Sequence, residues 1–296
     1  MSATRTVLFV HAHPDDETLA TGLALAHHAR AGGAHLLTCT LGEEGEVIPP
    51  ELAHLDAAHD DALGPHRWGE LQAAMAVLGV THEVLGADAA RGRLSRWRDS
   101  GMAGTPSAAN PDAFVNADLA EAAALATDVV RRLDPAAVVT YDRHGGYGHP
   151  DHIQAHRVAC AAVTSLPAGE RPPLYAVLTP RSWAREDRTW LASHPTGPGW
   201  ALPDPAGDYP PSVVDDELVT HELIDPGLRA LLGDALRAHR TQVTVAPDGL
   251  TYALSNDIAA RVPGREGYAL LDPATGELAG PAVAGPRHTG IVGESQ

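Results

Sequence analysis

Two short stretches hold the groups able to do chemistry. Val10-His11-Ala12-His13-Pro14-Asp15-Asp16-Glu17 packs two histidines and three acids into one turn. Tyr147-Gly148-His149-Pro150-Asp151-His152 repeats the pattern far along the chain. Each follows an apolar run, Thr6 to Val10 or Ala136 to Thr140, and each opens a helical pattern. An uncompensated charge taken out of water costs several kcal/mol or more, so a buried core has no use for such clusters. A lone turn of this kind has a plainer reading, since Asp15 or Asp16 would serve as a helix cap. Two clusters in equivalent places point to one shared site.

The residue types suit a metal. Catalytic zinc usually takes three N/O ligands and keeps a further position open. His13, Asp16 and His152 are the expected ligands, with Asp15 turned toward the open position. His149 and His152 are three apart at a helix start and share a face, so His149 is expected to face the substrate. A metal lowers the pKa of a bound water toward ~7 but still needs a base for its proton, and Asp15 is the candidate. For attack on an amide, His149 and the Tyr147 hydroxyl are expected to stabilise the oxyanion. Asp151 is expected to orient His149 or raise its pKa. Both Asp15 and His149 stand as candidates for the general acid. The donor set suits Zn2+ and also Fe2+.

The elements that must position these residues alternate between strand and helix. Strands are expected at 6–10, 35–41, 81–85, 136–140 and 174–179. Helices are expected at 18–31, 66–78, 117–133 and 152–166, and a short one at 51–61. This alternation predicts an α/β protein with a Rossmann-like, doubly wound, mainly parallel sheet. Ligands of such sheets bind beyond the carboxyl ends of the strands, where both clusters lie. Residues 1–180 form the expected core. Residues 181–296 are expected to be an appended, smaller α+β subdomain covering the pocket. It would hold a Pro/Gly-rich loop at 195–211, a helix at 226–239, short strands at 251–254 and 268–271, and a frayed tail from about 285.

The net charge of −17 argues against nucleic acid and anionic membrane surfaces as partners, because both select basic patches. The two cysteines, Cys39 and Cys160, make no disulfide framework and fit a cytoplasmic location. No apolar run reaches the ~18 residues of a membrane span. The first strand is not followed by a Gly-x-Gly-x-x-Gly turn, which argues against a dinucleotide site. A non-catalytic, metal-bearing sugar-binding module would need the ligands but not Asp15.

His13-Pro14-Asp15-Asp16-Glu17 together with Gly148-His149-Pro150-Asp151-His152 resembles the LmbE-like, or PIG-L-like, zinc-dependent N-deacetylases. Thr38 to Ile48, Arg96 to Thr105, Val139 to Asp142 with Gly145 to Gly148, and His239 to Val243 look like one branch of that family. This branch removes acetate from N-acetylglucosaminyl-inositol in mycothiol biosynthesis. The resemblance runs from Thr6 to about Asn256. It implies a hydrolase acting on a small amino-sugar inositol, with the metal and catalytic residues named above. It also implies that Arg67, Asp99 and Glu46 contact the sugar or inositol, and that Met102 lies near the acetyl group. Ala20 departs from the Ser expected in this branch. The nearest alternative is the related mycothiol S-conjugate amidase.

Overall fold

The computed structural model describes residues 6–280 and 286–292. Its architecture grows from β1 (Val7–His11), a strand buried along its whole length. Burial on both faces requires a parallel neighbour on each side and helices above and below. The neighbours are β2 (Ala34–Thr38) and β4 (Ala137–Thr140), with Phe9 opposite both Leu36 and Val139. β3 (Thr81–Val84) pairs parallel to β2, and β5 (Leu174–Pro180) parallel to β4.

Alternating residues divide between two cores. Leu8, Val10, Leu37, Val138 and Ala176 face α3 (Leu119–Leu133) and α5 (Pro150–Thr164). Val7, Phe9, Leu36 and Val139 face α1 (Asp16–Arg30), α2 (Leu63–Leu78) and α7 (Arg229–Ala238). Each fully buried Leu or Phe side chain contributes about 1.5–3 kcal/mol. The expected helices and parallel strands are therefore present, with shifts of a few residues at their ends. The expected short helix at 51–61 is a 3-10 turn over Pro50–Leu55.

Beyond residue 180 the chain is more regular than its composition suggests. Arg181–Leu191 is α6, a helix that buries Trp183 and Leu191 and leaves its charged residues outside. β11 (Arg265–Asp272) runs antiparallel to both β5 and β7 (His221–Ile224). The C-terminal residues thus extend the sheet that the first half began, in the order β13-β7-β11-β5-β4-β1-β2-β3, where β13 is His288–Thr289. Two further pairs lie off this path: β6 (Val213–Val214) on β5, and β12 (Glu277–Leu278) on β11. β8 (Thr244–Val245), β9 (Thr251–Ala253) and β10 (Ala260–Arg261) form a separate three-stranded sheet. Within the expected tail, β13 (His288–Thr289) pairs parallel to β7, while residues 285 and 293–296 lie outside the described residues.

Glu266 joins the C-terminal half to the helix that opens at the first cluster. α1 is interrupted at Thr21, whose φ of −136° is not helical. The break leaves backbone donors without their usual carbonyls. The Leu23 and Ala24 N–H groups donate instead to Glu266, at 2.6 and 2.9 Å, and the Tyr268 hydroxyl donates to the same carboxylate at 2.5 Å. Burial pushes the Glu266 carboxyl up to about 7. Its folded pKa is above the unfolded value, so its contribution to stability is full below about 4.5 and is lost as the pH rises through about 7. Glu266→Gln should remove that part of the pH dependence. It should also cost ~1–3 kcal/mol, because an amide N–H₂ then faces a backbone donor. Urea denaturation across this pH range reads both effects, and identical pH profiles for the two proteins would contradict the assignment.

Candidate active site

The turn between β1 and α1 is held in an unusual shape. Asp15 has φ 110°, a region that costs a non-glycine residue of order 1–3 kcal/mol and persists only where the surroundings enforce it. Two contacts enforce it here. The Asp15 N–H donates to Glu17 Oε2 at 2.9 Å. Arg67, from α2, donates to the carbonyls of Gly42 and Pro14 and pairs with the Asp15 carboxylate at 3.2 Å. The Asp15 side chain does not cap the helix, so its oxygens are not consumed by the use that would make it merely structural. Burial raises the Asp15 pKa to about 6, against the opposing pull of Arg67.

Asp16 folds back, and its Oδ2 accepts from the His13 N–H at 2.9 Å. This brings the two side chains to one point, with His13 Nδ1 3.3 Å from Asp16 Oδ2. His152, on the first turn of α5, reaches the same point from β4. Its Nε2 lies 3.3 Å from His13 Nδ1 and 3.3 Å from Asp16 Oδ1. Donors bound at ~2.0–2.1 Å to a tetrahedral ion lie ~3.3 Å apart, so the triangle has the size of a metal site. The charge agrees. Asp16, Asp99 and Asp151 are all at most 9% exposed around His13, a concentration of buried carboxylates that a divalent cation offsets. Burial alone would lower the His13 pKa, but Asp99, Asp151 and Asp16 outweigh it and hold it well above the usual range.

The rings of His13 and His152 are oriented from behind. The His152 Nδ1–H donates to the Gly145 carbonyl at 3.1 Å, which leaves Nε2 free to bind. A side chain at Gly145 would meet His152 Cβ at 2.6 Å, and its φ is +62°, so glycine is required there. Tyr141 stacks on His152 with ring centroids 4.3 Å apart, and its oxygen accepts from the Ala12 N–H at 2.9 Å. On the far side of His13, Nε2 faces Asp151 Oδ2 at 3.2 Å and Asp99 Oδ1 at 3.3 Å.

That last contact corrects one expectation. Asp151 does not tune His149 through its carboxylate, which lies on His13 and on the Ser100 N–H and hydroxyl. Its backbone N–H donates to His149 Nδ1 at 3.2 Å, and this places the proton of the neutral ring on Nε2. Burial, with His13 and His152 nearby, pushes His149 down to about 3. The neutral His149 ring thus offers its Nε2–H as a hydrogen-bond donor. Its nitrogen lies within 4.8 Å of those of His13 and His152.

Of the other expected residues, Tyr147 is 54% exposed at the cavity mouth, with its ring against His152 at 5.0 Å. Arg67 is buried and turned onto Asp15. Asp99 is buried against His13 and also accepts from the N–H groups of Gly101 and Glu44. Glu46 and Met102 stand exposed on flanking loops, and neither touches the metal ligands. Three residues without an expected role prove central: Tyr141, Glu17 and His239. Glu17 and His239 are fully buried and pair at 2.8 Å, so the end of α7 braces the carboxylate that holds the Asp15 N–H. The one sequence signal touching this pair was the resemblance carried by His239 to Val243.

Beside Asp16 and His152 opens a cavity of ≈ 370 Å³. One wall is Leu19, Ala20 and Tyr147, and the opposite wall comes from residues after 180, including Trp183, Arg229 and Tyr252.

Residues 8–163 match the family model PIG-L, described as GlcNAc-PI de-N-acetylase. The chain belongs to this family. It is 48% identical to a 1D-myo-inositol 2-acetamido-2-deoxy-alpha-D-glucopyranoside deacetylase of Thermomonospora curvata, over 97% of this chain and 96% of that one. An enzyme of the same description from Rhodococcus opacus is 48% identical, over 92% of this chain and 94% of its own. Among solved structures, N,N'-diacetylchitobiose deacetylase from Pyrococcus horikoshii aligns with a TM-score of 0.49 and 17% identity, covering 82% of this chain and 72% of that one. Among the described residues, no helix is long and apolar enough to cross a membrane.

Proposed function

We propose that this chain is a metal-dependent N-deacetylase that hydrolyses N-acetylglucosaminyl-inositol to glucosaminyl-inositol and acetate. The observation that carries the reading is a complete ligand triangle, His13, Asp16 and His152, beside an Asp15 carboxylate not spent on capping. The substrate follows from relatives 48% identical across nearly the whole chain. Zinc is the proposed ion, with ferrous iron as the other ion that this donor set suits.

When bound, the ion polarises the amide carbonyl and acidifies water. Asp15 takes the proton of the attacking water at a carboxylate oxygen, which is not spent on capping the helix. The His149 Nε2–H and the Tyr147 hydroxyl donate to the oxygen that gains charge. Asp15 then returns its proton to the leaving nitrogen, and the C–N bond breaks to give an amine and acetate. Asp151 and Asp99 hold His13 in the orientation that presents Nδ1 to the ion. Arg67 keeps Asp15 aimed and ionisable. Glu46 and Met102 are proposed to meet the sugar and its acetyl group from the flanking loops. Residues between Trp183 and Gly267 supply the far wall of the pocket, and the proposed compartment is the cytoplasm.

Metal-loaded protein should release acetate and free amine from N-acetylglucosaminyl-inositol in equal amounts, as measured by coupled acetate detection and amine derivatisation. It should turn over this substrate faster than a mycothiol S-conjugate. A preference for the conjugate would make the chain an amidase instead.

A further inference from the structure

The cavity beside the metal ligands is larger than an acetyl group needs, and its far wall is cationic. Arg229, Arg261 and Arg265 all line it, in a chain whose net charge is −17. Arg261 and Arg265 are committed elsewhere. Both donate to Asp187 Oδ1, at 2.9 and 3.2 Å, and Arg265 also pairs with Glu186. Each also lies over an indole, Arg261 at 4.3 Å from Trp190 and Arg265 at 4.8 Å from Trp183.

Arg229 differs. Among the described residues it has no ion pair and no hydrogen bond, and its Nε is buried without a partner. Its position is built rather than incidental. The guanidinium lies against Gly264, where an added Cβ would meet Nη2 at 2.6 Å and Cζ at 2.7 Å. Burial and the neighbouring Arg261 both press on its charge. On the same wall the Tyr252 hydroxyl has no hydrogen-bond partner among the described residues. Burial pushes its pKa up to about 12, so it is a donor at neutral pH. Of the other carboxyls lining the cavity, Asp16 lies with His13 and His152, and Glu266 spends its oxygens on Leu23, Ala24 and Tyr268.

We infer that Arg229, seated on Gly264 and joined by Tyr252, forms a second binding site in the cavity for a small carboxylate. A guanidinium presents parallel N–H donors that match a carboxylate, and a buried donor left unmade is costly. Asp187 and Glu186 engage Arg261 and Arg265, so Arg229 is the arginine of this wall left without an ion pair among the described residues, and a carboxylate supplies one. A phosphate dianion would be repelled more strongly than a monoanion by Asp16 and Asp187, which line the same cavity. The class includes acetate, the product of the proposed reaction, but the charge argument does not depend on that reading.

The test is calorimetric titration of the zinc-loaded protein with acetate at fixed ionic strength. Wild type should show a binding event that Arg229→Gln weakens about tenfold or more, the size of a lost charged hydrogen-bond pair. Any acetate held at the metal should persist in that variant. Gly264→Ala keeps the arginine but crowds its seat, and should weaken the same event. Arg229→Lys, which keeps the charge without the paired donors, should fall between wild type and Arg229→Gln. Identical titrations of wild type and Arg229→Gln would overturn the site. Tighter binding of inorganic phosphate than of acetate at this event would overturn the carboxylate assignment.

Discussion

Asp15→Asn should leave a folded, metal-loaded protein whose kcat is lower by ~10²–10⁴, the usual contribution of a positioned general base. The substitution is nearly isosteric. The amide oxygen still accepts from Arg67, and the Asp15 N–H contact to Glu17 is a backbone interaction that the change does not touch. The ligand triangle is made by His13, Asp16 and His152 without the Asp15 side chain. Metal content, measured by atomic absorption, should therefore match wild type while turnover collapses. This separation distinguishes a proton-transfer role from a structural one. Wild-type turnover by Asp15→Asn would remove it as the base. A parallel loss of metal would show that the turn itself had come apart.

Chelation should abolish acetate release, and added zinc should restore it. His152→Ala should lose metal on dialysis and stay inactive when zinc is returned, because only two ligands remain. Asp151→Asn should be milder, weakening metal affinity by ~10–100-fold, the usual effect of removing the partner behind a ligating histidine. The same experiments have a stability readout. Without the ion, Asp16, Asp99 and Asp151 crowd one imidazole. An ion present at ~1,000 times its Kd adds ~4 kcal/mol to folded stability. Melting temperature should therefore rise with zinc in wild type and hardly at all in His152→Ala. Full activity in thoroughly chelated protein, or an equal rise in both melting temperatures, would rule out the metal assignment.

The cluster of candidate ligands was legible in the sequence because each half of the site is local. His13 and Asp16 are placed by one turn, and His149 and His152 by one helix start. The strands that deliver them are continuous apolar runs, which announce burial on both faces. The regular part of the second half was harder to see. α6 follows a proline directly and buries only Trp183 and Leu191. β7 is four residues long and only half-buried, so its membership of the main sheet depends on β11 lying between it and β5.

Sequence alone, then, determined the α/β order and marked His13, Asp15, Asp16, His149 and His152 as one group at the strand ends. Tertiary structure decided which partner each polar group takes. Asp151 turns to His13 and not to His149. Arg67 is drawn onto Asp15, and Glu17 pairs with His239 from the other end of the chain. Arg229 is left facing the cavity with its charge unmatched. Spacing along a strand or helix fixes which residues share a face, and a sequence carries that spacing directly. Partners across the sheet depend on register and packing between segments distant in the chain, where burial forces each charge onto whichever group the fold brings within reach.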